Sequence, residues 1–345
     1  MGRVQDDFTG FEGPPEIWGD YNRLASKLAG RFHSLYALRS FQYLQPLRLQ
    51  KGVPRRLRKP YETRVGYTDW GPPDAPVIVC CGGVANTAMR FSFLAAEMCD
   101  SYRVICMDWL GRGFSGWLAD DNEYHLETYA EQLRQLILHL KLPSVTLLGS
   151  SMGGSVAIAL AAGSPSIVSR LVLNDIGPFI PMSRRKRRSE SLARHYVFRS
   201  PTEMLRRVGA SQKNDGPISD EIRTFLTYFQ TRWSSEDGGR IFRYDPRAMI
   251  AYRRTAQSSL DQWADWERIQ CPVMLLHGME SDALSSKTIS RMLRQRSMRL
   301  IHIPYTGHTP LLSDRNQTHW IRDWLKGDGS RQEEFSVPHA ASRRV

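Results

Sequence analysis

After residue 60 the chain alternates between short, continuously apolar runs and amphipathic segments. A run that is apolar throughout suits a strand buried on both faces, and an amphipathic segment suits a helix that covers such a strand. The alternation therefore predicts an α/β protein with a mostly parallel, doubly wound sheet. The predicted strands span residues 62–67, 77–81, 103–107, 145–148, 171–174, 273–277 and 299–303, and the predicted helices span residues 90–98, 126–140, 154–162, 288–296 and 318–326.

The alternation is interrupted once, between residues 178 and 269, where helical patterns rich in Arg and aromatic residues replace it. Such an insertion predicts a helical cap over the carboxyl edge of the sheet, where α/β proteins bind their ligands. We expect residues 61–177 and 270–327 to form the core that carries this cap. Residues 1–60 are predicted to be a basic N-terminal extension and linker, and the polar residues 328–345 a disordered tail.

Positive charge is concentrated in two segments of this chain, whose net charge is +12. Residues 1–60 hold eleven Lys or Arg against five acidic residues, and residues 181–215 hold ten against three. No known nucleic-acid module accompanies this charge, so we expect no nucleic-acid partner. Apolar spacing in residues 21–49 predicts a helix that packs on the main domain, on a second copy in a homodimer, or on an anionic membrane surface. The basic run 184–188 is predicted to be an exposed cap loop, with contact to an acidic substrate or anionic lipid as the functional alternative.

The cellular compartment is predicted from the N-terminus and from the cysteines. The N-terminus is acidic and rich in Pro and Gly, without the apolar stretch of a secretory signal, and the longest apolar stretch is interrupted by glycines. Four of the five cysteines lie in apolar, strand-like contexts, which favours buried free thiols in a reducing compartment. We therefore expect a cytoplasmic protein, and no pattern of Cys or His predicts a metal.

The strongest single motif is GSSMG at residues 149–153, a G-x-S-x-G that follows an apolar run and precedes a helix of small residues. A tight turn from strand to helix raises the serine oxygen above the edge of the sheet, and glycines on either side allow backbone to pass closely. The helix that follows directs its N-terminal amides at developing negative charge. Ser151 is therefore the candidate nucleophile, and Ser150 is its neighbour at a variable position.

With four further motifs, this turn makes residues 61–326 resemble the α/β-hydrolase fold family, in particular its serine esterase- and lipase-like members with a helical cap. The motifs are CCGGVAN, DWLGRGFS, LLHGMESDAL and YTGHTPLL, each after a predicted strand and in the family's order. The resemblance covers about three quarters of the chain. It implies the α/β-hydrolase type of sheet and a catalytic triad that forms an acyl-enzyme on Ser151.

The resemblance also implies the other two members of the triad. His308 lies after the last predicted strand, where the family places its general base. A carboxylate must then fix the tautomer of this histidine and stabilise its cation. Asp282 follows the strand 273–277 at the family's position for this acid. Asp175 is the alternative, because some members carry the acid after the preceding strand.

Two backbone N–H groups are expected to bind the oxyanion, those of Met152 and Gly83. Many family members have His-Gly in the second of these loops, whereas this chain has Cys-Gly-Gly at residues 81–83. The residues expected to contact substrate are Gly82, Ser150, Tyr196, Phe229 and Trp233, of which the last three belong to the predicted cap.

The reaction predicted from this site is hydrolysis of a carboxylic ester, lactone or thioester of a small acyl substrate, with no cofactor. Hydrolysis of a C–C bond and the activity of a peripheral membrane lipase use the same triad and stay open. A non-catalytic binding module on the same fold is the alternative from another functional class.

Overall fold

The computed structural model describes residues 13–212 and 215–327, and the short strand at residues 333–335. The strands are β1 (Tyr36–Gln45), β2 (Tyr61–Trp70), β3 (Val77–Cys81), β4 (Arg103–Met107), β5 (Val145–Ser150), β6 (Val168–Asn174), β7 (Phe179–Ile180), β8 (Thr231–Ser234), β9 (Gly239–Phe242), β10 (Leu260–Asp261), β11 (Val273–Gly278), β12 (Arg299–Ile303) and β13 (Glu333–Phe335). The helices are α1 (Pro15–Gly30), α2 (Ser92–Met98), α3 (Leu126–His139), α4 (Met152–Gly163), α5 (Met182–Leu192), α6 (Pro201–Gln212), α7 (Asp220–Gln230), α8 (Pro246–Thr255), α9 (Trp263–Arg268), α10 (Ser286–Gln295) and α11 (Arg315–Lys326).

A nine-stranded sheet in the order β1-β2-β4-β3-β5-β6-β11-β12-β13 organises the molecule. Within this sheet β4, β3, β5, β6, β11, β12 and β13 run parallel to one another, and β2 runs antiparallel to both of its neighbours. Every residue of β5 is buried, as is expected for a central strand with helices on both faces. The predicted fold class, a mostly parallel α/β sheet of the α/β-hydrolase type, is confirmed. Parallel strands also place their carboxyl ends at one edge, which is where the site lies.

The prediction of one long helix over residues 21–49 is wrong in its second half. The helix α1 ends at Gly30, and β1 pairs residue for residue with β2 as the edge of the main sheet. Burial alternates along β1, with Phe41, Tyr43 and Gln45 inside and the residues between them exposed. Leu35 and Leu38, which fit the helical spacing, are exposed. The N-terminal region is therefore part of the sheet rather than only an extension and linker.

The helix α1 packs on the segment 178–269, which we call the cap segment. Trp18 meets Trp233 edge to face, with 6.4 Å between ring centroids, and Tyr21 lies 6.2 Å from Tyr228. Trp18 is fully buried in this cluster. The buried face of α1 is thus covered by aromatic side chains of the cap segment, a partner within this chain other than the main domain that its periodicity suggested.

The cap segment is less uniformly helical than its sequence pattern predicts. It contains α5 to α9, but also the β8–β9 hairpin and the short antiparallel pair of β7 with β10. The basic run 184–188 lies within α5, so the prediction of an exposed loop is wrong: Arg184 and Arg185 are buried. Within residues 13–212 and 215–327, no helix combines the length and apolar character that a membrane crossing requires.

Candidate active site

The turn between β5 and α4 holds Ser151 in a strained backbone conformation. Its φ is 53° and its ψ is −120°, outside the usual region for a residue with a side chain. A Cβ on Gly153 would lie 2.1 Å from the carbonyl oxygen of Cys81, and one on Gly149 would lie 2.5 Å from the Cα of Gly154. Only glycine fits at these two positions, so the sequence motif is explained by how closely the backbone segments approach one another around Ser151.

His308 lies in the loop after β12 and faces Ser151. Its Nε2 is 2.8 Å from the hydroxyl oxygen of Ser151, and its side chain is only 8% exposed. A neutral imidazole that accepts the Ser151 O–H at Nε2 carries its own proton on Nδ1. The sequence-predicted nucleophile and base, separated by 157 residues, are therefore in direct hydrogen-bonding contact.

Asp175, not Asp282, supplies the carboxylate that contacts His308. One oxygen of Asp175, Oδ2, lies 2.9 Å from the Nδ1 of His308, and its side chain is fully buried. Asp175 follows β6 with a φ of 53°, which turns its side chain back toward the loop after β12. The preference given to Asp282 on sequence grounds is therefore corrected in favour of the alternative acid, Asp175.

The carboxylate of Asp175 is held in place from the far side by the loop after β11. The backbone N–H of Gly278 donates to Oδ1 at 3.0 Å, and the hydroxyl of Ser281 donates to Oδ2 at 2.5 Å. Both bonds fix the plane of the carboxylate that faces the imidazole. Ser281 was not predicted as a site residue, because in this loop the acidic side chain of Asp282 carried the sequence signal.

Asp282 instead joins the core to the cap segment. Its side chain is about half exposed and forms ion pairs with Arg184, at 3.5 Å, and with Arg187 of α5. Partial burial raises the pKa of Asp282, but the two arginines outweigh this and hold the pKa below its ordinary value. Asp282 makes no hydrogen bond to His308, so its position predicts a structural link between α5 and the core.

The loop after β3 differs from the predicted oxyanion-binding loop in one respect. A Cβ on Gly83 would lie 3.5 Å from the Cβ of Ser151, so this residue does adjoin the nucleophile. Its N–H, however, donates to the side-chain oxygen of Asn86 at 3.0 Å. Met152 lies at the N-terminus of α4, as expected of the other donor. Asn86, three residues after Gly83 in the same turn, was not singled out from the sequence.

None of the five residues predicted to contact substrate lines the cavity next to Ser151. The carbonyl of Gly82 accepts a hydrogen bond from the indole of Trp109, and the hydroxyl of Ser150 accepts one from Asn174. The other three lie in aromatic clusters of the cap segment: Tyr196 stacks on Phe198, Phe229 packs on Phe225, and Trp233 packs on Trp18. These aromatic residues are used to bury the cap segment and α1, which the sequence pattern did not reveal.

The cavity next to Ser151 and His308 has a volume of about 420 Å³. Its walls come from the loop after β3, the start of α3, and the helices α5 and α8 of the cap segment. Six of the lining residues are Lys or Arg and two are Asp or Glu. This volume suits a small organic molecule, and the excess of positive charge favours an anionic one.

Electrostatics keep His308 neutral near physiological pH. Burial is the largest cause that lowers the pKa of His308 below its ordinary value of 6.5. The hydrogen bond and negative charge of Asp175 oppose this, and the positive charges of Arg184 and Arg188 act with burial to lower the pKa. A neutral imidazole is the form that can accept a proton from Ser151.

We therefore expect the acid limb of the pH profile of kcat/KM to have its midpoint below 6.5, because turnover needs unprotonated His308 and its pKa is lowered. Arg184→Gln should move this midpoint upward, since it removes one cation that disfavours the imidazolium. The profile is measured with an uncharged ester by titration of the released acid. A wild-type midpoint above 6.5, or a downward shift in the variant, would contradict this account of His308.

The described residues offer little sign of metal or thiol chemistry. Among them, no three His, Cys, Asp or Glu side chains are grouped so that they could hold a metal ion. Cys81, at the end of β3, is fully buried, and burial raises the pKa of its thiol well above the ordinary value. A buried thiol of this kind packs as a small apolar group.

Comparisons with known proteins agree with this fold. The family model described as the α/β hydrolase fold matches residues 75–314. A 3-hydroxybutyrate-oligomer hydrolase of Cupriavidus necator is 31% identical over 265 residues, which cover 74% of this chain and 90% of that protein. The magnesium-chelatase 30 kDa subunit of Rhodobacter capsulatus is 28% identical over 76% of this chain and 93% of its own length. A solved α/β hydrolase from Novosphingobium aromaticivorans, 23% identical, superposes with a TM-score of 0.71 over 84% of this chain and 98% of that one, which shows the shared fold.

Proposed function

Because the chain belongs to the α/β-hydrolase fold family, we propose that it hydrolyses carboxylic esters through an acyl-enzyme intermediate on Ser151. The observation that carries this proposal is the continuous hydrogen-bonded chain from Ser151 through His308 to Asp175, with contacts of 2.8 and 2.9 Å. This arrangement activates a serine hydroxyl and stabilises the imidazolium that forms when the proton is transferred. Lactones and thioesters, which present the same carbonyl chemistry, belong to the same proposed class.

In the first half of the reaction the Ser151 oxygen attacks the ester carbonyl while the Nε2 of His308 accepts the hydroxyl proton. The tetrahedral intermediate collapses as His308 gives that proton to the departing alcohol. In the second half, His308 takes a proton from water, whose oxygen attacks the acyl-serine, and then returns the proton to Ser151. Asp175 keeps the Nδ1 proton of His308 in place throughout, so one tautomer serves both halves.

The oxyanion is proposed to bind at the N–H groups of Met152 and Gly83. Without substrate, the Gly83 N–H is hydrogen-bonded to Asn86. A substrate oxygen must therefore replace the side-chain oxygen of Asn86 as its acceptor. The exchange keeps the buried amide satisfied in both states, which limits the free-energy cost of forming the oxyanion site.

Oligomeric esters of short hydroxy acids are the first substrates to test. The relative in Cupriavidus necator is named for oligomers of 3-hydroxybutyrate, and the match covers most of that protein. Such an oligomer is a linear ester with a free carboxylate at one end, which suits a cavity with an excess of positive charge. The cavity volume of about 420 Å³ favours a short oligomer over a long polymer chain.

The proposal is tested with a fluorophosphonate probe and with p-nitrophenyl esters of increasing acyl length. We expect the probe to modify wild-type protein at Ser151, located by mass spectrometry of the digested protein, and short acyl chains to be hydrolysed. Ser150→Ala is the matched control, because Ser150 adjoins the nucleophile but its hydroxyl is hydrogen-bonded to Asn174.

Two outcomes would redirect the assignment. Labelling at Ser151 without turnover of any ester would exclude a general esterase and favour another bond, such as a C–C bond, for the same triad. Absence of both labelling and turnover would overturn the enzyme proposal in favour of a non-catalytic role for the fold.

A further inference from the structure

The helix α5 brings a row of arginines to the wall of the cavity. Arg184 and Arg188 are four residues apart, so they lie on the same face of the helix, one turn from each other. Both line the cavity that contains Ser151 and His308, and both lower the pKa of His308 through their charge. The basic run that the sequence analysis interpreted as an exposed loop therefore places two cations close to the candidate active site.

The other cations of this cavity are held by groups of the protein. Four of them are ion-paired or hydrogen-bonded within the protein: Lys51 to Glu127, Arg90 to Asp215, Arg112 to the carbonyls of Val84 and Leu110 and the hydroxyl of Tyr129, and Arg185 to the carbonyl of Ser258 and the hydroxyl of Thr255. Arg184 has a longer ion pair, at 3.5 Å, with Asp282. These contacts hold most of the positively charged side chains in place at the cavity wall.

Arg188 is the exception among these cations. Within the part of the chain that the structure describes, its guanidinium group forms no hydrogen bond and no ion pair, although it is partly buried and lines the cavity. Burial, and then the charge of Arg184, lower the pKa of Arg188, while Tyr252, Asp215 and Tyr244 act in the opposite direction. The Arg188 guanidinium is thus partly removed from water, and no carboxylate is paired with it. An anionic ligand that accepted its N–H groups would stabilise this charge.

We propose that Arg188, assisted by Arg184, binds a free carboxylate of the substrate and so directs this site to esters that carry a negative charge near the scissile bond. The inference rests on the proposed function, because it assigns the substrate class of the same cavity. A guanidinium presents several N–H donors in a plane and can bind a carboxylate through two of them. Such a contact fixes the substrate at one end while Ser151 attacks the ester at the other.

The test compares two ligands of nearly the same size that differ at one end: the linear dimer of 3-hydroxybutyrate as the free acid, with a charged carboxylate, and the same dimer with an uncharged terminal carboxamide. We expect wild-type kcat/KM to favour the acid by about 10- to 100-fold, the range for a hydrogen-bonded charged group. Arg188→Gln should bring this preference to within about threefold, and an effect on His308 that is common to both dimers cancels in the ratio. Lys186→Gln is the matched control, because it removes the same charge from an exposed position of the same helix.

Binding is measured separately from turnover, by calorimetry on Ser151→Ala protein. We expect this variant to bind the acid at least about tenfold more tightly than the carboxamide, and Ser151→Ala/Arg188→Gln to lose that difference. The comparison of the two ligands on Ser151→Ala needs no change at Arg188, so it remains decisive if the Arg188 variant fails to fold.

The outcomes separate this inference from the proposed function. Equal hydrolysis and equal binding of the two dimers would overturn the role of Arg188 and leave ester hydrolysis standing. If neither dimer were hydrolysed but the acid still bound more tightly through Arg188, the carboxylate site would stand and hydrolysis of these oligomers would fail. Binding of neither dimer would overturn the carboxylate site.

Discussion

Asp175→Asn is expected to lower kcat for ester hydrolysis by about 10⁴-fold, the effect known for the same change in the acid of a serine triad. The Asn amide can donate to His308 and would favour the wrong tautomer, with the proton on the nitrogen that faces Ser151. KM should change little, because Asp175 is buried behind the imidazole and does not line the cavity. Stopped-time assays with one ester, wild type beside variant, give both constants.

Asp282→Asn is the matched control for this prediction, since it makes the same chemical change at the acid that the sequence favoured. Asp282 touches Arg184 and Arg187 rather than His308, so we expect kcat to fall by less than about tenfold. Thermal unfolding of both variants separates a loss of catalysis from a loss of folding. A 10⁴-fold loss in Asp282→Asn with a near-normal Asp175→Asn would reverse the assignment of the acid.

Ser151→Ala and His308→Ala should each lower kcat by at least about 10³-fold, because each removes one partner of the proton transfer. The double variant should be no slower than the slower single variant. Residues that act as one unit lose their joint contribution when either is removed, so their effects do not add. Multiplicative losses in the double variant would mean that the two side chains act independently.

These rates are measured with highly purified protein, since traces of other esterases set the lowest rate that can be observed. Fluorophosphonate labelling provides a second readout: His308→Ala should be labelled far more slowly than wild type, and Ser151→Ala should not be labelled at residue 151. Wild-type turnover in either single variant would exclude the serine mechanism.

The sequence predicted the part of the site that depends on local structure. The Ser151 turn needs only a strand, glycines and a helix in a row, and His308 needs only to follow the last of the predicted strands. The structure brings the two side chains into contact, because parallel strands bring their carboxyl ends to one edge of the sheet.

The choice between the two acids depends on structure that is not local. Asp175 and Asp282 follow β6 and β11, which are parallel neighbours in the sheet. Either loop therefore ends near His308, and strand order alone does not decide between them. The decision is made by the positive φ of Asp175 and by the hydrogen bonds that Gly278 and Ser281 donate to its carboxylate. Neither feature leaves a pattern in a single sequence.

The spacing of apolar residues gave wrong predictions where a segment packs on a partner from a distant part of the chain. The aromatic residues of the cap segment suggested a substrate pocket, but Phe229 and Trp233 help to bury a region that includes α1. The strand β1 was missed because Leu35 and Leu38 happen to fit a helical repeat, while the alternating burial of Phe41 and Tyr43 became clear only once β2 was alongside.

The residues just after α1 join the core to the cap segment. The ring of Phe32 lies between the core and the cap segment: its centroid is 6.0 Å from Trp70 and 5.3 Å from Phe93 on one side, and 5.4 Å from Phe225 of α7 on the other. We expect these ring contacts to hold the cap segment against the core and to oppose a hinge motion that would separate the two. The size of the opening to the cavity, rather than the frequency of a large domain motion, would then limit the rates of substrate entry and product release.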